Sequence, residues 1–291
     1  MKVLVIGGNR FVGLRVANAL DARPDIELHV INRTGQVAHT KNATIYKGDR
    51  NRLETAHLDR DWDLVIDFAC YKQSEAESAL AFFGDVKRYM NISTGSVYVE
   101  GLDLKETAWD PLEFDLKQPA DLTSYQDGKR RCEAVFHQQT KFPVLSVRFP
   151  FIVGPDDYTH RLDFHVGRAE RGEEIYIPNL NARISYIHSE DAAKFIAWAV
   201  SQPQLSGSLN VAAPDDLAMK GLLAQIEMLT GHKVRLAKEE KDGNHSPYGA
   251  EIGFSMNTDR LKATGFKARP ITEWLPGLIA PHATPQKGMV H

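Results

Sequence analysis

Within "TSYQDGKRR", Tyr125 and Lys129 stand one helical turn apart, on the same face of any helix that contains them. A tyrosine ionises at about pH 10, and a nearby ammonium favours the phenolate and lowers that value. The pair is therefore a candidate acid or base near neutrality, and Lys129 could also hold a ribose. Earlier in the chain, "NISTGSVY" supplies Ser93, Thr94 and Ser96. Hydroxyls at the carboxyl end of a parallel strand lie where open α/β sheets bind ligands. A Tyr and a Lys at this spacing also describe an ordinary half-buried helix face, and order along the chain is what favours chemistry.

A second constellation lies in "VIGGNRFVG", Val5 to Gly13. Gly7 and Gly8 end an apolar run where the chain must bend, and Gly13 falls where a missing side chain lets helix and strand approach. The helix start between them presents free N–H groups to a pyrophosphate. Arg10, between Asn9 and Phe11, occupies the place where many such turns have their middle glycine. The second apolar run ends in "INRTG", so Asn32 and Arg33 replace the acid that usually holds the ribose of NAD. Arg33, with Arg10 reaching the same ribose from the other side, suits a phosphate, because a planar guanidinium donates two hydrogen bonds at once. The sequence thus points to NADP rather than NAD, although both arginines also fit a solvated surface. In "KGDRN", Asp49 is an acceptor for the adenine amino group, with Arg50 beside it. Phe68 and Ala69, ending "WDLVIDFA", complete the expected cofactor contacts together with Lys129.

These residues need a scaffold. "KVLVI", "IELHVI", "ATIYKG", "WDLVIDFA" and "KRYMNIST" read as strands, with "FVGLRVANAL" and "SEAESALAFF" as helices among them. The economical architecture is an α/β fold, a Rossmann-like doubly wound parallel sheet. A helix from about Leu122 to Thr140 precedes the strand "VLSVRF". Residues 1–150 are expected to form the dinucleotide-binding domain, with 189–211, including the helix "DAAKFIAWAV", returning to it. Residues 151–188 and 212–291 are expected to form a smaller, interleaved substrate-binding region that includes the helix "LLAQIEMLTG", and "ATPQKGMVH" reads as a loose tail.

Composition narrows the partners. The chain has 291 residues, 43% of them hydrophobic, enough for an ordinary core. A formal net charge of −3 gives no global attraction to nucleic acid or anionic membrane. The two cysteines, Cys70 and Cys132, match no zinc or redox spacing, which suggests a reducing compartment and a cytoplasmic protein. His160, His165 and His188 lack metal-ligand spacing, and no metal is expected.

Taken in order, these motifs resemble the extended short-chain dehydrogenase/reductases, the NAD-dependent epimerase/dehydratase family. Gly7, Gly8 and Gly13 match its glycine turn, "VIDFAC" its fourth strand, "STGSVY" its hydroxyl segment, and Tyr125 with Lys129 its active-site pair. "RFPFIVGP" and "YIHSEDAA" are similar to its later segments. The resemblance implies a hydride passed between a nicotinamide and a small carbonyl or hydroxyl substrate, possible sugar derivatives included. Tyr125 would move the proton, Thr94 would hold the oxygen, and Lys129 would tune Tyr125. Ser96, Asp156, Arg161 and Arg183 are the expected substrate contacts. Arg183 stands three residues before Tyr186, where nucleotide-sugar members often have an Arg two before, and one residue turns a strand side chain to the other face. "GGNRF" resembles an atypical branch that includes relatives of chloroplast stem-loop RNA-binding proteins. A cofactor-sensing regulator without turnover and an RNA-binding protein are therefore the alternatives. A homodimer through helices beside the active-site helix is common in such families, but Cys132, Val135 and Phe136 could equally face the core.

Overall fold

The computed structural model describes residues 1–139 and 141–282. The apolar runs form strands because β-branched residues buried on both faces suit a parallel sheet covered by helices. They are β1 (Lys2–Ile6), β2 (Glu27–Asn32), β3 (Thr44–Lys47), β4 (Leu64–Asp67) and β5 (Tyr89–Thr94). After β6 (Gly101–Leu104) come β7 (Val144–Phe149), β8 (Phe151–Val153), β9 (Arg183–His188), β10 (Gly207–Asn210), β11 (Asp216–Ala218) and β12 (Phe254–Met256). The main sheet has the order β10-β7-β5-β4-β1-β2-β3, parallel throughout. A smaller sheet has the order β8-β9-β12-β6, with β11 antiparallel on β9. Two short ladders pair Asp61–Trp62 with Asp85–Val86 and Glu174–Ile175 with Arg235–Leu236.

Eight helices accompany the strands among the described residues: α1 (Phe11–Asp21), α2 (Gln73–Phe82), α3 (Tyr125–His137), α4 (Arg161–Arg171), α5 (Ser189–Ala199), α6 (Met219–Thr230), α7 (Asp259–Ala263) and α8 (Ile271–Ile279). Alternation along β1 divides the core. Val3 and Val5 pack with Val16 and Leu20 of α1 and with Phe195 and Ile196 of α5, while Leu4 and Ile6 face Ala79 of α2 and Phe136 of α3. A third cluster, including Val166, Ile184, Met219, Leu222 and Trp274, lies under the smaller sheet. Cys132, Val135 and Phe136 belong to the core beneath α3. No helix among the described residues is long and apolar enough to cross a membrane.

The structure shortens the expected helix 122–140. Asp121 Oδ1 accepts from the Thr123 amide, and Ser124 Oγ accepts from the Asp127 amide at 3.1 Å, so the chain turns and is capped before Tyr125. At the far end Gln139 Oε1 accepts from the Lys141 and Phe142 amides and bends the chain away. Thr140 and the expected tail, 283–291, lie outside the described residues.

A buried ion pair fixes α3 against the sheet. Arg148 of β7 donates to Glu133 of α3 at 2.7 Å, both side chains fully buried, and Glu133 also accepts from Ser93 and Ser208. Arg148 reaches on to Tyr98 Oη and the Glu106 carbonyl. Burial alone would raise the Glu133 carboxyl, but the Arg148 guanidinium, with the Ser93 hydrogen bond and His137, outweighs it and holds the group below its ordinary value. Removing one partner strands the other charge, so Glu133→Ala should lower the unfolding free energy at pH 7 by about 3–5 kcal/mol. Because the folded-state pKa is depressed, wild-type protein should lose this stabilisation as pH falls below the ordinary glutamate value, and Glu133→Ala should not. Denaturant titrations from pH 7 downward check both, and a loss under about 1 kcal/mol at pH 7 contradicts the assignment.

Candidate active site

A cleft of about 550 Å³ runs along the carboxyl ends of the main strands. Its floor is the glycine turn. Gly7 and Gly8 take φ of +99° and +73°, which side chains rarely adopt. A Cβ on Gly13 would lie 2.9 Å from Gly8 Cα, so the start of α1 rests directly on the turn. Asn9, Arg10 and Phe11 line the cleft with these glycines, and Phe68 and Ala69 line it from the end of β4. A backbone cradle this close to a helix start has the chemistry of a phosphate site.

At the centre, Lys129 is 2% exposed. Its Nζ donates to the Cys70 carbonyl at 2.8 Å and the Ile92 carbonyl at 2.9 Å, tying α3 to the ends of β4 and β5. A third N–H remains for the cleft, which Lys129 lines. Nζ also lies 4.4 Å from the centre of the Tyr71 ring and 6.0 Å from that of Tyr125. Burial is the largest influence and opposes its charge, but the ionised forms of the neighbouring Tyr125, Tyr71, Cys132 and Cys70 together outweigh it and leave Lys129 above the ordinary lysine value. Tyr125 is the first residue of α3, half exposed and lining the cleft.

The strand end separates the two neighbouring hydroxyls. Ser93 Oγ donates to buried Glu133, whereas Thr94 Oγ1 accepts from the Ser96 amide at 3.1 Å and donates to Ser96 Oγ at 3.2 Å. Ser93 is thus committed to the core, and the Thr94 and Ser96 hydroxyls meet outside it. Ile92 and Ser93 line the cleft, and Thr94 and Ser96 are not among its walls.

At the β2 end the expectations divide. Arg33 lines the cleft, and its guanidinium has no hydrogen-bond or ion-pair partner among the described residues. Asn32 also lines the cleft, with its side-chain amide engaged in its own turn. Its Oδ1 accepts from the Thr34 amide and hydroxyl and from the Gly35 amide, and its Nδ2 donates to the Gln36 carbonyl, so it shapes the turn that carries Arg33. Asp49 lines the cleft and accepts from the Asn51 amide. Arg50 is 7% exposed and pairs with Asp67 at 2.8 Å, while its Nε and Nη1 have no partner in the described structure.

The expected substrate contacts are not gathered in one place. Arg183 pairs with Asp216 across the β9–β11 ladder and lines a separate polar pocket of about 270 Å³ with Asp103 and Lys262. Asp156 is bound by Arg15 at 2.7 Å, and Arg161 lies over the Phe151 ring and donates to Thr159. His165 bonds to the Arg161 carbonyl and Ser246, and His188 contacts Arg269. Among the described residues no group of three or more His, Cys, Asp or Glu is arranged to hold a metal ion. Tyr71 is a residue that motif spacing missed. It follows the end of β4, and the rule that singles out hydroxyls after β5 applies equally there. Cys70 and Cys132, 62 residues apart in sequence, meet as free buried thiols at 3.3 Å.

A family model described as NAD dependent epimerase/dehydratase family matches residues 3–212, which carry the glycine turn, the Lys129 seat and β10. The chain belongs to this family. It is an enzyme family of the short-chain dehydrogenase/reductase type. Among solved structures, the chain is similar to a UDP-glucuronic acid 4-epimerase from Bacillus cereus, at 15% identity and a TM-score of 0.71, with 97% of this chain and 98% of that one covered. A UDP-glucose 4-epimerase from Thermotoga maritima is similar at 17% identity and a TM-score of 0.67, with the same coverage. At these identities the likeness is one of fold. A curated relative, chloroplast stem-loop binding protein of 41 kDa b from Arabidopsis thaliana, is 22% identical over 94% of this chain and 75% of its own length.

The contact between Gly8 and Gly13 leaves no space for a methyl group. Gly13→Ala should therefore cost about 1–3 kcal/mol of unfolding free energy through overpacking, measured by denaturant titration. A change below about 0.5 kcal/mol would mean that α1 does not sit on the turn as described.

Proposed function

We propose that the chain is an NADP-dependent oxidoreductase or epimerase-like enzyme acting on a small carbonyl or hydroxyl compound. One observation carries this reading: a buried Lys129 with Tyr125 beside it and a free Arg33 line a single cleft built on a glycine turn. The residues fit a nicotinamide dinucleotide. The turn excludes side chains where phosphates would lie, Lys129 keeps one proton free, and β2 ends without a carboxylate facing the cleft. The Bacillus cereus epimerase structure was determined with NAD, which supports the cofactor class.

When bound, a nicotinamide supplies or accepts a hydride at the substrate carbon. Tyr125 gives the oxygen a proton when that carbon is reduced and takes it back when the carbon is oxidised. Thr94 stands at the end of β5, outside the cleft walls, and the family pattern assigns its hydroxyl to hold the same oxygen by a hydrogen bond. Lys129 positions Tyr125 through α3 and offers its remaining N–H to the cofactor ribose. Arg33 would hold the 2′-phosphate, since a planar guanidinium can donate two hydrogen bonds at once. Ser96 extends the hydroxyl pair at the end of β5.

Two substitutions test the reading separately. Tyr125→Phe should lower nicotinamide-linked turnover, followed by absorbance, by about a hundredfold to ten-thousandfold while NADPH affinity stays within about twofold of wild type. Unchanged turnover would instead favour a cofactor sensor without chemistry. Arg33→Asp should weaken NADPH by about tenfold or more in calorimetric titration and spare NADH. Equal weakening of both would remove the case for NADP.

A further inference from the structure

Arg10 replaces a glycine in the turn, and its side chain does not extend toward β2. Its guanidinium carbon lies 4.0 Å from the centre of the Tyr158 ring, and the Phe11 ring meets Tyr158 edge-on at 5.9 Å. Tyr158 belongs to the segment that leaves β8, directly after β7, and β7 and β2 lie on opposite sides of β1 in the main sheet. Arg10 and Tyr158 both line the cleft. The guanidinium has no hydrogen-bond or ion-pair partner among the described residues, so stacking leaves all its N–H groups free to donate.

A second contact joins the same two segments. Arg15, one turn further along α1, binds Asp156 through both oxygens at 2.7 Å and also donates to the Phe11 carbonyl. The segment is rooted at both ends. At Gly154 a Cβ would lie 2.0 Å from Ser189 Oγ, leaving no room for a side chain, and His160 adopts φ +52° at the start of α4. Between them Asp157 accepts from the Thr159 amide and hydroxyl, and Tyr158 stands half exposed at the tip.

We infer that residues 154–160 form a clasp over the phosphates of the bound dinucleotide, with Arg10, held by Tyr158, as their counter-cation. The inference rests on the cofactor reading above and reassigns two residues. Arg10 serves the phosphates common to both cofactors and not the 2′-phosphate, and Asp156 is a latch on α1 and not a substrate contact. A cation–π stack and an exposed ion pair are individually weak, as a closure that must open requires. Opening of the clasp then sets the rate at which cofactor leaves.

The test is stopped-flow displacement of NADPH and of NADH from the full chain, read by nucleotide fluorescence. Tyr158→Ala and Asp156→Asn should each speed release of both cofactors, by about five- to tenfold for the tyrosine, with little change in association. Arg10→Gly should weaken both cofactors equally, and adding Tyr158→Ala to it should change release no further, because the two side chains act as one unit. Unchanged release in Tyr158→Ala and Asp156→Asn, or a loss confined to NADPH in Arg10→Gly, overturns the clasp while leaving the cofactor reading intact. Failure of the wild-type protein to bind either nucleotide overturns both.

Discussion

The ammonium of Lys129 is the group on which the site depends. A lysine removed from water is tolerated only when its protons are placed, and two of them go to carbonyls from adjacent strand ends, Cys70 after β4 and Ile92 in β5. That arrangement sets the height and rotation of α3 above the sheet and so fixes where Tyr125, one turn earlier, meets the cleft. Tyr71 covers the ammonium from the other side and limits its hydration. Deeper in the helix, the Glu133–Arg148 pair repeats the principle with a full ion pair and draws Ser93 into the core. Lys129 and Glu133, both buried on one helix, therefore fix α3 against the strand ends.

The cleft has chemically different ends. Toward β2 it offers Arg33 on a turn stiffened by Asn32, and toward β7 and β8 it is bounded by Arg10 and Tyr158. Between them the glycines keep the floor of the cleft free of side chains. The arginine that replaces a glycine in this turn is accommodated because Arg10 has extended backbone, φ −155°, and needs no glycine there. Its side chain is drawn aside by a tyrosine far along the chain. Substitution and partner make sense only together.

Most of the main sheet was legible because its strands are apolar on both faces, a pattern that survives any change in loop structure. "KVLVI", "IELHVI", "WDLVIDFA" and "VLSVRF" correspond closely to β1, β2, β4 and β7. The sequence pattern places the start of α3 three residues early because Leu122 and Thr123 continue the helical spacing, while Asp121 and Ser124 spend their oxygens on a turn and a cap. Side-chain direction was less legible. Asn32 and Arg33 are adjacent and both line the cleft, yet the Asn32 amide is spent on its own turn while the Arg33 guanidinium has no partner among the described residues. Arg50 has the composition of a surface residue but is buried against Asp67. The contacts of Arg10 with Tyr158 and of Cys70 with Cys132 join residues distant in sequence, and no local pattern encodes them.

The most direct measurement of the central claim is a crystal structure of the protein with NADP⁺ bound. The expected result keeps both Lys129 bonds to the Cys70 and Ile92 carbonyls, adds a third from the same nitrogen to the cofactor, and brings the 2′-phosphate against Arg33. A cofactor lying elsewhere, or one that makes no contact with Lys129, would contradict the claim that this buried ammonium organises the site.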